Sequence, residues 1–326
     1  MDAHRRTTAD PSQPRPALRV LVGVDGSAQS LTALRWAMRW ALLRDAEVAV
    51  VSAYPTVGDW PGGEMMDVGA VDAVHDDTWA RARAAVDEIR ESDLEVCDVP
   101  VSLHIEPGPA AAQLVRLSEG ADLLVVGSRG RSVLRSALLG SVALHCASAA
   151  GCPVVVVPQS GRVAQPQAGA RVVVGLDGSE RSAAALSTAL TEAGAEGSVT
   201  AVRAHSGTDL WSDQYAGQPS QQEQHDDALR RLEMTLGELL AGRTDDSPTV
   251  QRLALSGAAG DVLVEQAADA DLLVVASRGR GEFRGLLLGS VALHCVAHAP
   301  CPVLVVRPPV RHLPAGLTLV GSAATT

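Results

Sequence analysis

The chain has 326 residues, of which 46% are hydrophobic and 20% charged, and this composition excludes a disordered protein. Its formal net charge of −11 disfavours binding to nucleic acid or to an anionic membrane, because like charges repel at long range. Five cysteines without framework spacing argue against a disulfide scaffold, and no apolar run approaches the roughly 18 residues of a membrane span, so we expect a soluble, cytoplasmic protein.

In the first half of the chain, predicted strands alternate with predicted helices. After a leader at 1–16, which we expect to be disordered, five apolar runs predict buried strands: LRVLVGV, AEVAVVSAY, VPVSLHIEP, ADLLVVG and CPVVVVP. Helical spacing predicts one helix over Ser30–Leu43 and another around His75–Ser92. The second helix should bury one face, formed by Trp79, Ala82, Val86 and Ile89. Further helices are expected at AAAQLVRLSEG and after Gly140.

The same pattern recurs about 150 residues later, a period that corresponds to a whole domain. RVLVGVDGS is repeated as RVVVGLDGS, and ADLLVVGSRGRS as ADLLVVASRGRG. We expect domains at 17–158 and 170–308, a linker rich in Pro, Gly and Gln at 159–169, and a tail at 309–326. The alternation predicts an α/β fold with two repeated open five-stranded parallel sheets and helices on both faces.

A glycine pattern, G-x2-G-x9-G-S, follows the fourth predicted strand at Gly127, Gly130, Gly140 and Ser141. Glycine permits positive φ and a close approach of ligand to backbone, and Ser141 is a candidate N-cap of an apolar helix. Because a helix N-terminus favours an anion, a phosphate chain is predicted between the two glycine segments. The alternative is that the glycines only form turns. The pattern is neither Walker A nor G-x-G-x-x-G.

Asp25, in GVDGS at the end of the first strand, is a second candidate. Its carboxylate could accept hydrogen bonds from ribose hydroxyls or support a metal bound to phosphates, whereas the alternative is a turn or helix cap. Because ligands of open parallel sheets bind beyond the carboxyl ends of the strands, Asp25 and the glycine pattern should share one crevice. Arg135 and Arg284 are interpreted as surface residues. They belong to six arginines that flank the glycines: Arg129, Arg131, Arg135, Arg278, Arg280 and Arg284.

Two histidine–cysteine pairs recur, His145–Cys146 and His294–Cys295. Adjacent residues on a helix point about 100° apart, so we do not interpret these pairs as metal sites. Cys152 and Cys301 are interpreted as small core residues. No catalytic triad, close carboxylate pair or activated nucleophile is recognisable in the sequence.

Asp25 in VGVDGS, the glycine pattern and the closing CPVVVV together resemble the universal stress protein family, and the resemblance covers both halves. It implies an adenine nucleotide alpha hydrolase-like fold, a role in the stress response, and ATP, with or without Mg²⁺, as the ligand. The glycines would hold the phosphates, the aspartate the ribose, and backbone at the end of the second strand the adenine. The implied first site comprises Asp25, Ala53, Gly127, Gly130, Gly140 and Ser141. The implied second site comprises Asp177, Ala204, Gly279, Gly289 and Ser290.

The second copy departs from this pattern at Ala276, which stands where the first copy has Gly127. Alanine avoids positive φ and its methyl group would crowd an approaching ligand. The second site is therefore predicted to bind a few-fold to about tenfold more weakly.

Three functions remain open at this level: an ATP-binding regulator with slow or no hydrolysis, an ATPase or nucleotidyl enzyme, and a scaffold that acts through protein partners. Other adenine nucleotides, such as cyclic AMP, also remain open. The last strand in the family commonly pairs two domains edge to edge. The resemblance therefore predicts an internal pseudo-dimer through CPVVVVP and CPVLVVR, and a further homodimer stays open.

Overall fold

The computed structural model describes residues 18–55, 68–130, 139–159, 163–205, 220–241, 248–278 and 288–307. The first half alternates strands and helices in the order β1 Arg19–Gly23, α1 Ala28–Arg44, β2 Glu47–Tyr54, α2 Val68–Ser92, β3 Val101–Pro107, α3 Ala110–Leu117, β4 Leu123–Gly127, α4 Ser141–Ala149 and β5 Val154–Val157. The second half repeats this order as β6 Arg171–Gly175, α5 Glu180–Ala193, β7 Ser198–His205, α6 Gln221–Leu240, β8 Thr249–Ser256, α7 Ala259–Gln266, β9 Leu272–Ala276, α8 Ser290–His298 and β10 Val303–Val306.

All ten strands join one sheet, in the order β3-β2-β1-β4-β5-β10-β9-β6-β7-β8. Strands within each half are parallel, whereas β5 and β10 pair antiparallel, with Val156 opposite Val303 and Val154 opposite Val305. The predicted α/β fold with two open five-stranded parallel sheets is confirmed, and the two halves meet through the strands predicted from CPVVVVP and CPVLVVR.

The strands are almost continuous runs of Val, Leu and Ala because helices cover both faces of the sheet. One face packs against α1, α2, α5 and α6, and the other against α3, α4, α7 and α8. Cys152 and Cys301 lie in this core, as predicted. Trp79 is an exception to the predicted buried face of α2: the residue is 45% exposed, although Ala82, Val86 and Ile89 of the same helix are buried.

Side chains also connect the two halves beside the central strand pair. Trp40 Nε1 and Arg44 Nη2 both donate to Glu192 Oε2, at 3.0 and 2.7 Å. Arg307, after β10, donates from Nη2 to the Ala147 carbonyl oxygen near the end of α4, at 2.8 Å. Among the described helices, none has both the length and the apolar character needed to cross a membrane.

Candidate functional site

The carboxyl end of β1 turns tightly into α1 through Asp25, Gly26 and Ser27. Asp25 Oδ1 accepts the Ser27 backbone N–H at 3.0 Å, and Ser27 Oγ accepts the Ser30 N–H at 3.2 Å, which caps α1. Gly26 has φ +80°, a conformation that favours glycine. One oxygen of Asp25 therefore has the turn-capping role that the sequence left open.

The second half repeats this turn after β6. Asp177 Oδ1 accepts the Ser179 backbone N–H at 2.9 Å, and Ser179 caps α5. Gly178 also has φ +80°. Gly26 and Gly178 were not among the candidate residues predicted from the sequence, although the Asp-Gly pair is a known signal for such turns. Each aspartate is thus held rigidly at the carboxyl end of its strand.

Gly130 lies directly beside Asp25. A Cβ atom at position 130 would be 2.6 Å from Asp25 Oδ2, well inside van der Waals contact. The structure therefore brings the first strand end and the glycine turn together in one crevice, as the sequence predicts. Only glycine at position 130 leaves the carboxylate in place.

Gly140 closes the segment that begins after β4. Its backbone N–H donates to the Ser128 carbonyl oxygen at 2.8 Å, and a Cβ at position 140 would lie 3.2 Å from the same oxygen. Gly289 donates to the Ser277 carbonyl in the second half at the same distance. The intervening residues, which include Arg131, Arg135, Gly279, Arg280 and Arg284, lie outside the described residues.

Helix α4 begins one residue differently from the prediction. Gly140 is the N-cap, because its backbone is extended and its carbonyl accepts the Leu144 N–H at 3.0 Å; Ser141 is the first helical residue and no described side chain caps the helix. The N–H groups of Ser141, Val142 and Ala143 therefore have no acceptor within the helix. A helix terminus of this kind favours an anion.

The glycines of the pattern are not explained by positive φ, because Gly127, Gly130 and Gly140 all lie outside the left-handed region. A Cβ at position 127 would lie 3.1 Å from the Gln29 carbonyl oxygen in the first turn of α1. Gly127 therefore allows close packing of helix on strand. Ala276 also lies outside the left-handed region, so the φ argument for a weaker second site is wrong. Its side chain is partly buried and packs against the core.

All six residues implied for the first site line one cavity of about 380 Å³, together with Arg129. The equivalent cavity in the second half, of about 470 Å³, is lined by Asp177, Ala204, Gly289 and Ser290, and also by Ala276. Each cavity has an apolar wall, formed by Leu114 and Val126 or by Leu263 and Val275, and a polar end at the helix start. An apolar ring system with an attached anionic chain fits this division.

Arginines supply positive charge to both cavities. Arg129 Nη1 donates to Gln159 Oε1 at 2.6 Å, while its Nε is buried and has no hydrogen-bond partner among the described residues. Arg278 lines the second cavity, as the repeat predicts. Arg203 also lines it. This residue was not predicted from the sequence, because only the strand register shows that it follows the end of the β6–β7 pairing.

Four of the five cysteines have no features of a nucleophilic site. Burial raises the pKa of the Cys146, Cys152, Cys295 and Cys301 thiols to about 12, so they stay protonated at neutral pH. Within the described ranges, no three His, Cys, Asp or Glu side chains are grouped so that they could hold a metal ion.

Comparison with known proteins identifies the family. The model of the universal stress protein family matches residues 17–158 and 170–307. A universal stress protein of Mycolicibacterium smegmatis is 36% identical over 296 residues, covering 89% of this chain and 97% of its own, and one of Mycobacterium tuberculosis H37Rv is 32% identical over 299 residues, covering 91% and 99%. The crystal structure of a universal stress protein from Archaeoglobus fulgidus shares the fold, with a TM-score of 0.62, 20% identity and coverage of 89% of this chain and 96% of that one. The chain belongs to the universal stress protein family and carries two copies of the family domain in one polypeptide.

Proposed function

We propose that this protein is an ATP-binding regulator of the stress response, with slow or no hydrolysis. The observation that supports this most strongly is the composition of the first cavity, where Asp25 and the start of α4 both border the same space. A ribose would lie beside Asp25, and phosphates beside the N–H groups of Ser141 and its neighbours. Adenine would lie along Ala53 and the apolar wall.

The second site would use Asp177, Ala204, Gly289 and Ser290 in the same roles, with Gly279 as a further candidate. When bound, ATP would supply the negative charge that the helix start and Arg129 favour. Mg²⁺ would accompany the phosphates near Asp25, because hard cations bind carboxylate and phosphate oxygens.

The described lining of the first cavity offers few candidates for a general base, which favours a regulator over an enzyme. Asp25 is the only carboxylate among the described residues that line the first cavity, and its Oδ1 already accepts the Ser27 N–H. The same described residues include no histidine. Among the described lining residues, only the Asp25 carboxylate could therefore act as a general base for hydrolysis.

The test combines mass spectrometry of the denatured, purified protein with calorimetric titration of ATP and Mg²⁺. We expect adenine nucleotide in the purified or nucleotide-soaked protein, and loss of binding in the Asp25→Ala, Asp177→Ala double variant. No nucleotide in either sample would favour the scaffold. Several turnovers per minute that disappear in Asp25→Ala would favour an ATPase, and tighter binding of cyclic AMP than of ATP would change the ligand.

A further inference from the structure

The two halves differ at one residue of their second strand, the residue that follows the segment paired with the first strand of the same half. Gly23 pairs with Val51 in the first half, and Gly175 pairs with Val202 in the second. The next residues, Ser52 and Arg203, therefore occupy the same point of the fold. Each lies beside the loop that carries the strand-end aspartate of its half.

In the first half this position brings no charge to the cavity. Ser52 is buried, with 5% of its surface exposed, and its Oγ donates to the Val24 carbonyl oxygen at 2.6 Å. Among the described residues lining the first cavity, Arg129 is the only cation and Asp25 the only anion. Arg81 lines an adjoining cavity, but it is paired with Asp77 at 2.9 Å.

In the second half the same position adds a guanidinium. Arg203 lines the cavity, and its Nη1 lies 3.3 Å from where a Cβ of Gly178 would be. Gly178 follows Asp177 directly in the sequence, so this guanidinium lies close to the turn that carries Asp177. Arg278 also lines the cavity, so the described lining of the second site has two cations and one anion.

This charge arrangement points to a second anionic group on the ligand. Asp177 alone would repel a phosphate at the ribose edge, and the adjacent guanidinium offsets that repulsion. In dinucleotide-binding folds, an acidic residue that contacts ribose hydroxyls selects the unmodified ribose, whereas a nearby arginine accommodates a ribose phosphate. Guanidinium also matches phosphate geometrically and stays charged at all physiological pH values.

We propose that Arg203 is a specificity-determining residue that makes the second site prefer adenine nucleotides with a phosphate on the 2′ or 3′ ribose oxygen in addition to the 5′ phosphate. The first site, with Ser52, takes nucleotides with an unmodified ribose. This inference rests on the proposed nucleotide-binding function and deepens it, because it assigns different ligands to the two sites.

The test measures the second site separately, in the full chain with Asp25→Ala. Calorimetric titration compares AMP with adenosine 2′,5′-bisphosphate and adenosine 3′,5′-bisphosphate. We expect at least one bisphosphate to bind about tenfold more tightly than AMP, which corresponds to about 1.4 kcal/mol. In the Asp177→Ala chain, which retains the first site, neither bisphosphate should be preferred.

Arg203→Ser, which installs the first-half residue, should abolish the preference in the Asp25→Ala chain, and Arg203→Lys should retain part of it. The matched control is Arg252→Ser, which removes the same charge from β8, where Arg252 pairs with Glu233 at 3.5 Å outside the cavity. This control should keep the full preference. Thermal unfolding confirms that each variant is folded.

Three outcomes would overturn the assignment. A bisphosphate preference that survives Arg203→Ser, or that is lost equally in Arg252→Ser, would mean that Arg203 does not determine it. Equal affinity for AMP and both bisphosphates at the second site would overturn the inference and leave the proposed function intact. Failure of ATP, AMP and both bisphosphates to bind either site would overturn the proposed function as well.

Discussion

Gly130 is the residue whose missing side chain most directly affects the first cavity, because any Cβ there would meet the carboxylate of Asp25. We predict that Gly130→Val weakens ATP binding at least tenfold, or about 1.4 kcal/mol. The melting temperature without ligand should change little, because the clash involves the end of a side chain rather than backbone. Calorimetric titration and thermal unfolding measure the two effects.

A double-mutant cycle provides the control for this prediction. If Gly130→Val acts by displacing Asp25, it should cause no further loss of affinity in an Asp25→Ala background. Unfolding of the variant would show instead that the glycine is required for folding. Normal ATP binding would contradict the proposed site around Asp25 and Gly130.

The cysteines give a second prediction for single residues. Four thiols are buried and have a pKa of about 12, whereas Cys97 is partly exposed. Because the thiolate is the reactive form, a thiol reagent at pH 8 should modify Cys97 alone in the native protein. All five cysteines of the sequence should react after unfolding. Rapid native labelling of any core cysteine, read by mass spectrometry, would contradict this assignment.

At the scale of elements, the close packing of α1 on β4 explains why position 127 is a glycine. Gly127→Ala would place a methyl group 3.1 Å from the Gln29 carbonyl oxygen. We predict that it lowers the free energy of unfolding by about 1–3 kcal/mol, as overpacking does. Chemical denaturation measures this loss.

The reverse change, Ala276→Gly, serves as the comparison. Since the methyl group packs against the core, the ATP affinity of the second site should change by less than about twofold, or roughly 0.4 kcal/mol. The order of the two affinities stays a prediction, tested by titrating Asp177→Ala and Asp25→Ala. A tenfold gain in Ala276→Gly would show that the methyl group does crowd the ligand.

The order of strands and helices could be predicted because apolar periodicity is a local property of the sequence. Helix limits were less predictable: α1 begins at Ala28 rather than Ser30, and α2 at Val68 rather than near His75. The exposure of Trp79 depends on how α2 lies on the sheet, which no periodicity reports.

The site could be predicted only in part, because a local sequence pattern does not show how distant segments lie against one another. Asp25 and Gly140 could be assigned to one crevice because the carboxyl ends of parallel strands meet at one edge. The contact between Gly130 and Asp25, and the equivalence of Ser52 with Arg203, depend on register and on turn geometry. The φ angles of the glycines could not be deduced from the sequence either, because a glycine can allow close packing as well as an unusual backbone conformation.

At the scale of the whole molecule, Glu192 joins the two halves through Arg44 and Trp40. Burial raises the pKa of Glu192 and lowers that of Arg44, so desolvation outweighs their attraction for both groups. Because the pKa of Glu192 is raised in the folded protein, its contribution to folding stability is fully present below the ordinary pKa of 4.5. That contribution is lost as pH rises through the folded-state pKa.

We therefore predict that folding stability declines as pH rises above 4.5 in the parent chain, and that Glu192→Met removes this decline. At pH 7 the single variant should lose about 3 kcal/mol, because Arg44 remains buried without its acceptor. The double variant Arg44→Met, Glu192→Met should recover most of that loss. Denaturation midpoints between pH 4 and pH 7 measure both effects, and a single variant as stable as the parent chain at pH 7 would contradict the account.

The antiparallel pairing of β5 with β10 determines how the two cavities are oriented toward a binding partner. Because strands run in opposite directions on either side of that pair, the two cavities open toward opposite rims of the sheet. A single flat partner therefore cannot cover both openings. Two identical subunits would always have the same residues at both rims. When the two domains are joined in one chain, the residues at one rim can change while those at the other are kept, and Ser52 and Arg203 are an example of such a difference.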